Sequence, residues 1–155
     1  MCNGGFVENL EKLSFDFFKL FSRLEYSLKA ASFNTGNGDA KANWSDFAQN
    51  IDTQFLGCAD EELKKSYSYV LENPPKKQII ENGQIKWSTV EPTSKCQTDL
   101  ILLYVRRVRN NLFHGGKFNG NWFEPQRSEE LLSSSITILE NARKMNEQVK
   151  QAFEN

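Results

Sequence analysis

Histidine is nearly missing from this chain: His114 is the single one in 155 residues. Cysteine is sparse, with Cys2, Cys58 and Cys96 far apart and no C-x-x-C pair. A zinc hydrolase or zinc knuckle needs three or four His, Cys or acidic ligands at close spacing, so that class is excluded. An odd, scattered set of thiols also argues against a disulfide framework and for reduced cysteines in a cytoplasmic protein. No apolar run approaches the roughly 18 residues of a membrane span, and no signal-like segment opens the sequence, so a membrane partner is not expected. Neither G-x-x-x-x-G-K-[ST] nor G-x-G-x-x-G occurs, which removes the common nucleotide cradles. Metal-dependent nuclease chemistry needs clustered acids, and the basic segment of residues 100–123 is free of them, so neither a metal nor a cofactor is expected.

What the chain does have is aromatic and apolar periodicity. Twelve Phe and a hydrophobic content of 39% are too much for a disordered chain and enough for one core. Leu10, Leu13, Phe17, Leu20, Leu24 and Leu28 recur three and four apart, which predicts a long amphipathic helix from about Val7 to Ala31. Phe15, Phe18 and Phe21 widen its apolar face, so it is expected to pack on more than one neighbour. Trp44, Phe47, Ile51 and Phe55 predict a second helix closed by Gly57. Asp60-Glu61-Glu62 opens a third, and Asn73-Pro74-Pro75 stops it. Residues 79–87 break the pattern: Asn82-Gly83 between β-prone runs predicts a hairpin that must lean on the helices. A fourth helix is expected from Thr98 to His114, then a loop rich in Gly, Asn and aromatics, then a last helix from about Ser128 nearly to the end. The predicted fold is all-α: a bundle of about five helices with a small β-hairpin near residues 79–87.

Charge is unevenly spread. Between Leu100 and Phe123 there is no acid, but there are Arg106, Arg107, Arg109 and Lys117, with Phe118, Trp122 and Phe123 at the end. A basic patch with aromatics beside it can hold phosphates and stack bases; the plainer alternative is a solvated helix face and a loop that tucks its rings into the core. On an ideal helix Arg106, Asn110 and His114 share one face. Arg109 lies about 140° round from His114, within reach of a long guanidinium arm. His114 in the last turn meets the negative end of the helix dipole, which favours the imidazolium. A histidine between its two forms beside a guanidinium suits phosphodiester chemistry. Read without that chemistry, His114 is a donor to the free carbonyls of a helix end, and Asn110 and Asn111 bond a neighbouring helix or loop.

The run Arg109-Asn110-Asn111-Leu112-Phe113-His114-Gly115, late on a long helix, resembles the Arg-x4-His motif of the HEPN family. Phe21-Ser22-Arg23-Leu24-Glu25-Tyr26 and Tyr104-Val105-Arg106-Arg107-Val108-Arg109 are similar to segments of small stand-alone bacterial and plasmid HEPN proteins. The resemblance spans most of the chain as an architecture, making residues 1–155 a single HEPN-like domain, and is sharp around residues 21–26 and 104–117. It implies a metal-independent endoribonuclease whose His and Arg meet across a homodimer interface. There the ribose 2′-OH attacks the adjacent phosphorus, leaving a 2′,3′-cyclic phosphate and a 5′-OH. In that reading His114 moves protons, Arg109 stabilises the phosphorane, and Asn110 orients substrate or His114. Arg106, Arg107 and Lys117 hold flanking phosphates, and Glu25 braces an arginine of the fourth helix. Arg107, six residues before His114, also fits the motif's spacing, so either arginine can be the catalytic one.

The implied role is a toxin or abortive-infection effector, with an antitoxin or immunity protein as a possible partner. The HEPN subgroup paired with a nucleotidyltransferase antitoxin carries Tyr two places after the His, where this chain has Gly116, and that pairing is in doubt. A single His per chain gives an independent reason for the dimer. General acid and general base are commonly two side chains, and a two-fold axis near His114 supplies the second. Two alternatives stand beside this reading: the same bundle as a non-catalytic RNA- or protein-binding module, and a plain dimer joined through its Phe-rich first helix.

Overall fold

The computed structural model describes residues 3–113, 117–118, 121–122 and 125–155, with side chains for 9–112 and 127–155. Among them six helices carry the fold: α1 (Asn3–Ala30), α2 (Trp44–Leu56), α3 (Glu61–Glu72), α4 (Gln97–Phe113), α5 (Pro125–Ala142) and α6 (Glu147–Glu154). Between α3 and α4 lies the hairpin β1 (Lys77–Glu81) and β2 (Gln84–Ser88), and between α4 and α5 a short antiparallel pair, β3 (Lys117–Phe118) and β4 (Asn121–Trp122).

Local chemistry sets the boundaries. Asn43 caps α2 by accepting from the Asp46 N–H at 3.0 Å, and Asp60 caps α3 by accepting from the Leu63 N–H at 3.1 Å. Gly57 closes α2 as expected, although not through a left-handed turn: its φ is −86°, and an added Cβ would lie 2.9 Å from the Thr53 carbonyl. In the hairpin Asn82 and Gly83 have φ of 52° and 73°, the paired positive values of a type I′ turn.

The core is the set of stripes read from the sequence. Phe17, Leu24 and Leu28 of α1 are fully buried, with Phe47, Ile51 and Phe55 of α2, Leu63 and Val70 of α3, Ile101 and Val105 of α4, and Ile138 and Leu139 of α5. α1 lies against α5 and α6, α3 against α5, and α2 against α4. No described helix is long and apolar enough to cross a membrane.

One expectation needs correction. The final helix is two helices. The chain tightens after Ala142, with Lys144 N–H bonding Asn141 O and Met145 N–H bonding Ala142 O, and Asn146 caps a new helix through the Val149 N–H at 3.1 Å. Ala142, Met145 and Val149 keep their three-and-four spacing across this break, so periodicity alone runs through it. α1 does pack on two neighbours, α5 and α6, as its wide apolar face predicts, but not through all of its rings. Phe21 is buried, but Phe15 and Phe18 are 64% and 46% exposed, and Tyr26 is 67% exposed. These three and Ser22 form one stripe that faces away from α5 and α6.

α2 anchors the start of α4. Asp52 accepts from the Thr98 N–H at 3.1 Å, and Ser45 Oγ donates to the buried Asp99 at 3.0 Å. Burial pushes the Asp52 carboxyl up, but hydrogen bonds from Thr98 and Cys96 outweigh it and hold the group below the ordinary carboxylate value. A carboxyl depressed by folding contributes stability above its unfolded value of about 4, and loses that contribution as pH falls through the folded value. Asp52→Asn is therefore expected to lower the melting temperature at pH 7, with the gap to wild type closing below about pH 4. A gap that stays constant with pH would contradict this.

Candidate functional site

One open cleft of about 680 Å³ runs beside α4. Its lining includes Arg106, Arg107, Arg109, Asn110 and Asn111 of α4, Phe21 and Glu25 of α1, and Trp44 of α2. The segment 40–42 and the start of β1 add Lys41 and Lys77. Five cationic side chains thus face one carboxylate, Glu25, among the described residues.

The floor is aromatic. Phe21 and Trp44 stack with ring centroids 5.1 Å apart and planes at 26°. Arg109 lies over Phe21 with its guanidinium carbon 5.6 Å from the ring centre, and Arg106 lies over Trp44 at 5.8 Å. Such contacts are worth roughly 0.5–2 kcal/mol each and fix the guanidinium positions in advance of any ligand.

The three arginines do different work. Arg106 is held from behind: Nη2 stands 3.7 Å from Asp99 Oδ1, and Nε donates to Leu102 O at 3.4 Å. Burial lowers its pKa, and the charges of Asp99 and Glu25 offset this only in part. Arg107 sits over Tyr104 at 5.6 Å and donates to Pro75 O at 3.3 Å. Burial lowers its pKa, partly offset by Tyr104. Arg109 Nη1 donates to Asn110 Oδ1 at 3.0 Å, coupling the two motif residues and leaving the Asn110 amide NH2 as a donor on an exposed side chain.

Asn111 follows the plainer alternative: its Nδ2 donates to Lys76 O at 2.8 Å. With the Arg107–Pro75 bond, this ties the chain entering β1 to α4. The hairpin therefore leans on the helices at its base, while Ile80 and Ile85 near the turn stay exposed.

The structure brings Arg106, Arg107, Arg109, Asn110 and Glu25 to one cleft. His114 and the Lys117 side chain lie outside the described residues, as do the side chains of Phe118, Trp122 and Phe123. Asp99, Lys41 and Lys77 were missed from sequence. Asp99 had a usable signal, since an acid seven residues before Arg106 falls two turns away on the same helix face. Lys41 and Lys77 had none, because only the fold carries them to α4.

Cys58 and Cys96 are free thiols, and burial pushes Cys96 up from its ordinary value. Among the described residues no three His, Cys, Asp or Glu side chains converge as a metal-ligand set. Compared with protein-family models, curated proteins and solved structures, the chain matches none.

Proposed function

We propose that this protein is a metal-independent endoribonuclease of the HEPN type, acting in the cytoplasm as a toxin or defence effector. The observation that carries the reading is the gathering of Arg106, Arg107, Arg109 and Asn110 into one cation-rich cleft with Glu25 on its wall. These residues come from the two segments whose sequences resemble HEPN proteins. A phosphodiester in this cleft would meet fixed guanidinium donors where negative charge develops at phosphorus. A base removes the 2′-OH proton as the oxygen attacks phosphorus. The P–O5′ bond breaks, and an acid returns a proton to the departing 5′ oxygen. Arg109 stabilises the phosphorane, the Asn110 amide donates to a phosphate oxygen or to His114, and His114 carries protons.

The dimer has its own support. On α1, Phe21 and Glu25 turn toward the cleft directly beside the exposed stripe of Phe15, Phe18 and Tyr26. Packing that stripe against its copy across a two-fold axis would bury the rings and bring two clefts together. Phe18→Glu is expected to shift the hydrodynamic mass from dimer to monomer; an unchanged mass would contradict this interface.

A binding or immunity module is the second reading. It is favoured by the engagement of Arg106 with Asp99 and of Arg107 with Pro75, which an RNA-binding surface without chemistry also accommodates. Incubation of purified protein with mixed cellular RNA in EDTA separates the two. The nuclease reading expects cleavage by wild type and none by His114→Ala. A folded dimer that cuts no RNA supports the binding module, and cleavage that survives His114→Ala rejects the site.

A further inference from the structure

We propose that Lys41 and Lys77 form a phosphate clamp in this cleft, gripping the backbone of single-stranded RNA on either side of the nucleotide presented to α4. The inference rests on the cleft being the nucleic-acid site of the nuclease reading, and it adds two contact residues from outside the motif helix.

Both lysines are exposed and line the cleft, yet neither rides on a slack loop. The segment carrying Lys41 is pinned at its ends. Asn34 bridges Ala42, the Thr35 N–H bonds the Lys41 carbonyl at 3.1 Å, and the Asn43 N–H bonds Phe33 O at 2.8 Å. Gly36 and Gly38, with φ of 91° and 115°, let the chain turn back within this short span. Lys77 begins β1, where it pairs with Ser88. The residues just before it are bonded to α4 by Asn111 and Arg107. Two ammonium groups are therefore carried to the guanidinium cluster on backbone already fixed, so little ordering is lost when a polyanion binds.

The chemistry favours RNA phosphates in a single strand. Five cations against two carboxylates, Glu25 on the wall and Asp99 behind Arg106, leave an excess of positive charge that suits a ligand with more than one negative charge. Guanidinium planes beside phosphate-binding cations suit an unpaired segment, whose bases can turn out and stack on them. Phe21 and Trp44 are buried beneath Arg109 and Arg106, so the planes available to a base are the guanidiniums and not the rings.

The test is binding of a short, fluorescent 2′-O-methyl oligoribonucleotide to the full chain, titrated over a range of salt. This probe lacks the attacking hydroxyl and reports binding apart from cleavage. Lys41→Gln/Lys77→Gln is expected to weaken binding by about tenfold at low salt. It should flatten the dependence of log Kd on log salt by about 1.4, from roughly 0.7 per lost phosphate contact. Lys65→Gln on α3 is expected to change neither. A double variant with wild-type affinity and slope overturns the clamp, as does a wild-type protein that fails to bind the probe. Equal affinity for a duplex of the same sequence overturns the single-strand assignment. Clamped binding of the probe without cleavage of unmodified RNA rejects the nuclease reading and leaves the clamp standing.

Discussion

Arg109→Ala is expected to lower the rate of RNA cleavage by about 10²–10³-fold while leaving the fold intact, the loss typical of removing one donor from a charge-stabilising site. Arg109 packs over Phe21 and donates to Asn110, and losing these two contacts costs about 1–2 kcal/mol. Arg107→Ala gives the contrast. Its guanidinium bonds Pro75 O and helps seat the hairpin, so its loss is expected to loosen residues 75–77 and cut activity far less. The motif spacing leaves both arginines open; we propose Arg109, because Arg107 is engaged with Pro75 O at the base of the hairpin. Measuring kcat and melting temperature for both variants checks this, and a larger kcat loss in Arg107→Ala would reverse the assignment.

Asp99→Ala is expected to be the most destabilising single change at the site. Asp99 is 1% exposed, accepts from Ser45 Oγ and from the Lys95 N–H at 2.8 Å, and faces Arg106 at 3.7 Å. Truncation strips a partly buried guanidinium of its counter-charge and leaves two donors unmatched, a loss of about 3–4 kcal/mol. For a chain of this size that corresponds to a fall of roughly 10 °C in melting temperature. Asp99→Asn retains an acceptor for Lys95 or Ser45 and should lose about half as much. Calorimetry on the two variants tests the ordering, and near-wild-type melting of Asp99→Ala would mean that the network carries little of the fold.

Most of the architecture was legible because burial and helical period coincide. Leu10 to Leu28, Trp44 to Phe55 and Ile101 to Val108 each mark a core face, and Asn82-Gly83 marked the hairpin turn. The break between α5 and α6 was not legible, because the apolar spacing continues across it and the stop is made by a cap at Asn146. The width of the α1 face announced its two neighbours, α5 and α6, but not that Phe15 and Phe18 would stay exposed outside those contacts.

At the site, Arg106, Arg109, Asn110 and Glu25 could be grouped from sequence because two helical segments carry them. Asn111 reads from sequence as bonding a neighbouring helix or loop, and it donates to Lys76 O. Lys41 and Lys77 reach the cleft through two turns of the chain, and no local pattern encodes that meeting.

The most direct measurement is the chemistry of the cut ends. Wild-type protein in EDTA is given an RNA that it cleaves and the same RNA with one 2′-deoxy substitution at the cut site. The account predicts 2′,3′-cyclic phosphate and 5′-hydroxyl ends from the first and no cut at that position in the second. Ends bearing 3′-hydroxyl and 5′-phosphate, or cleavage that continues past the deoxy substitution, would contradict it.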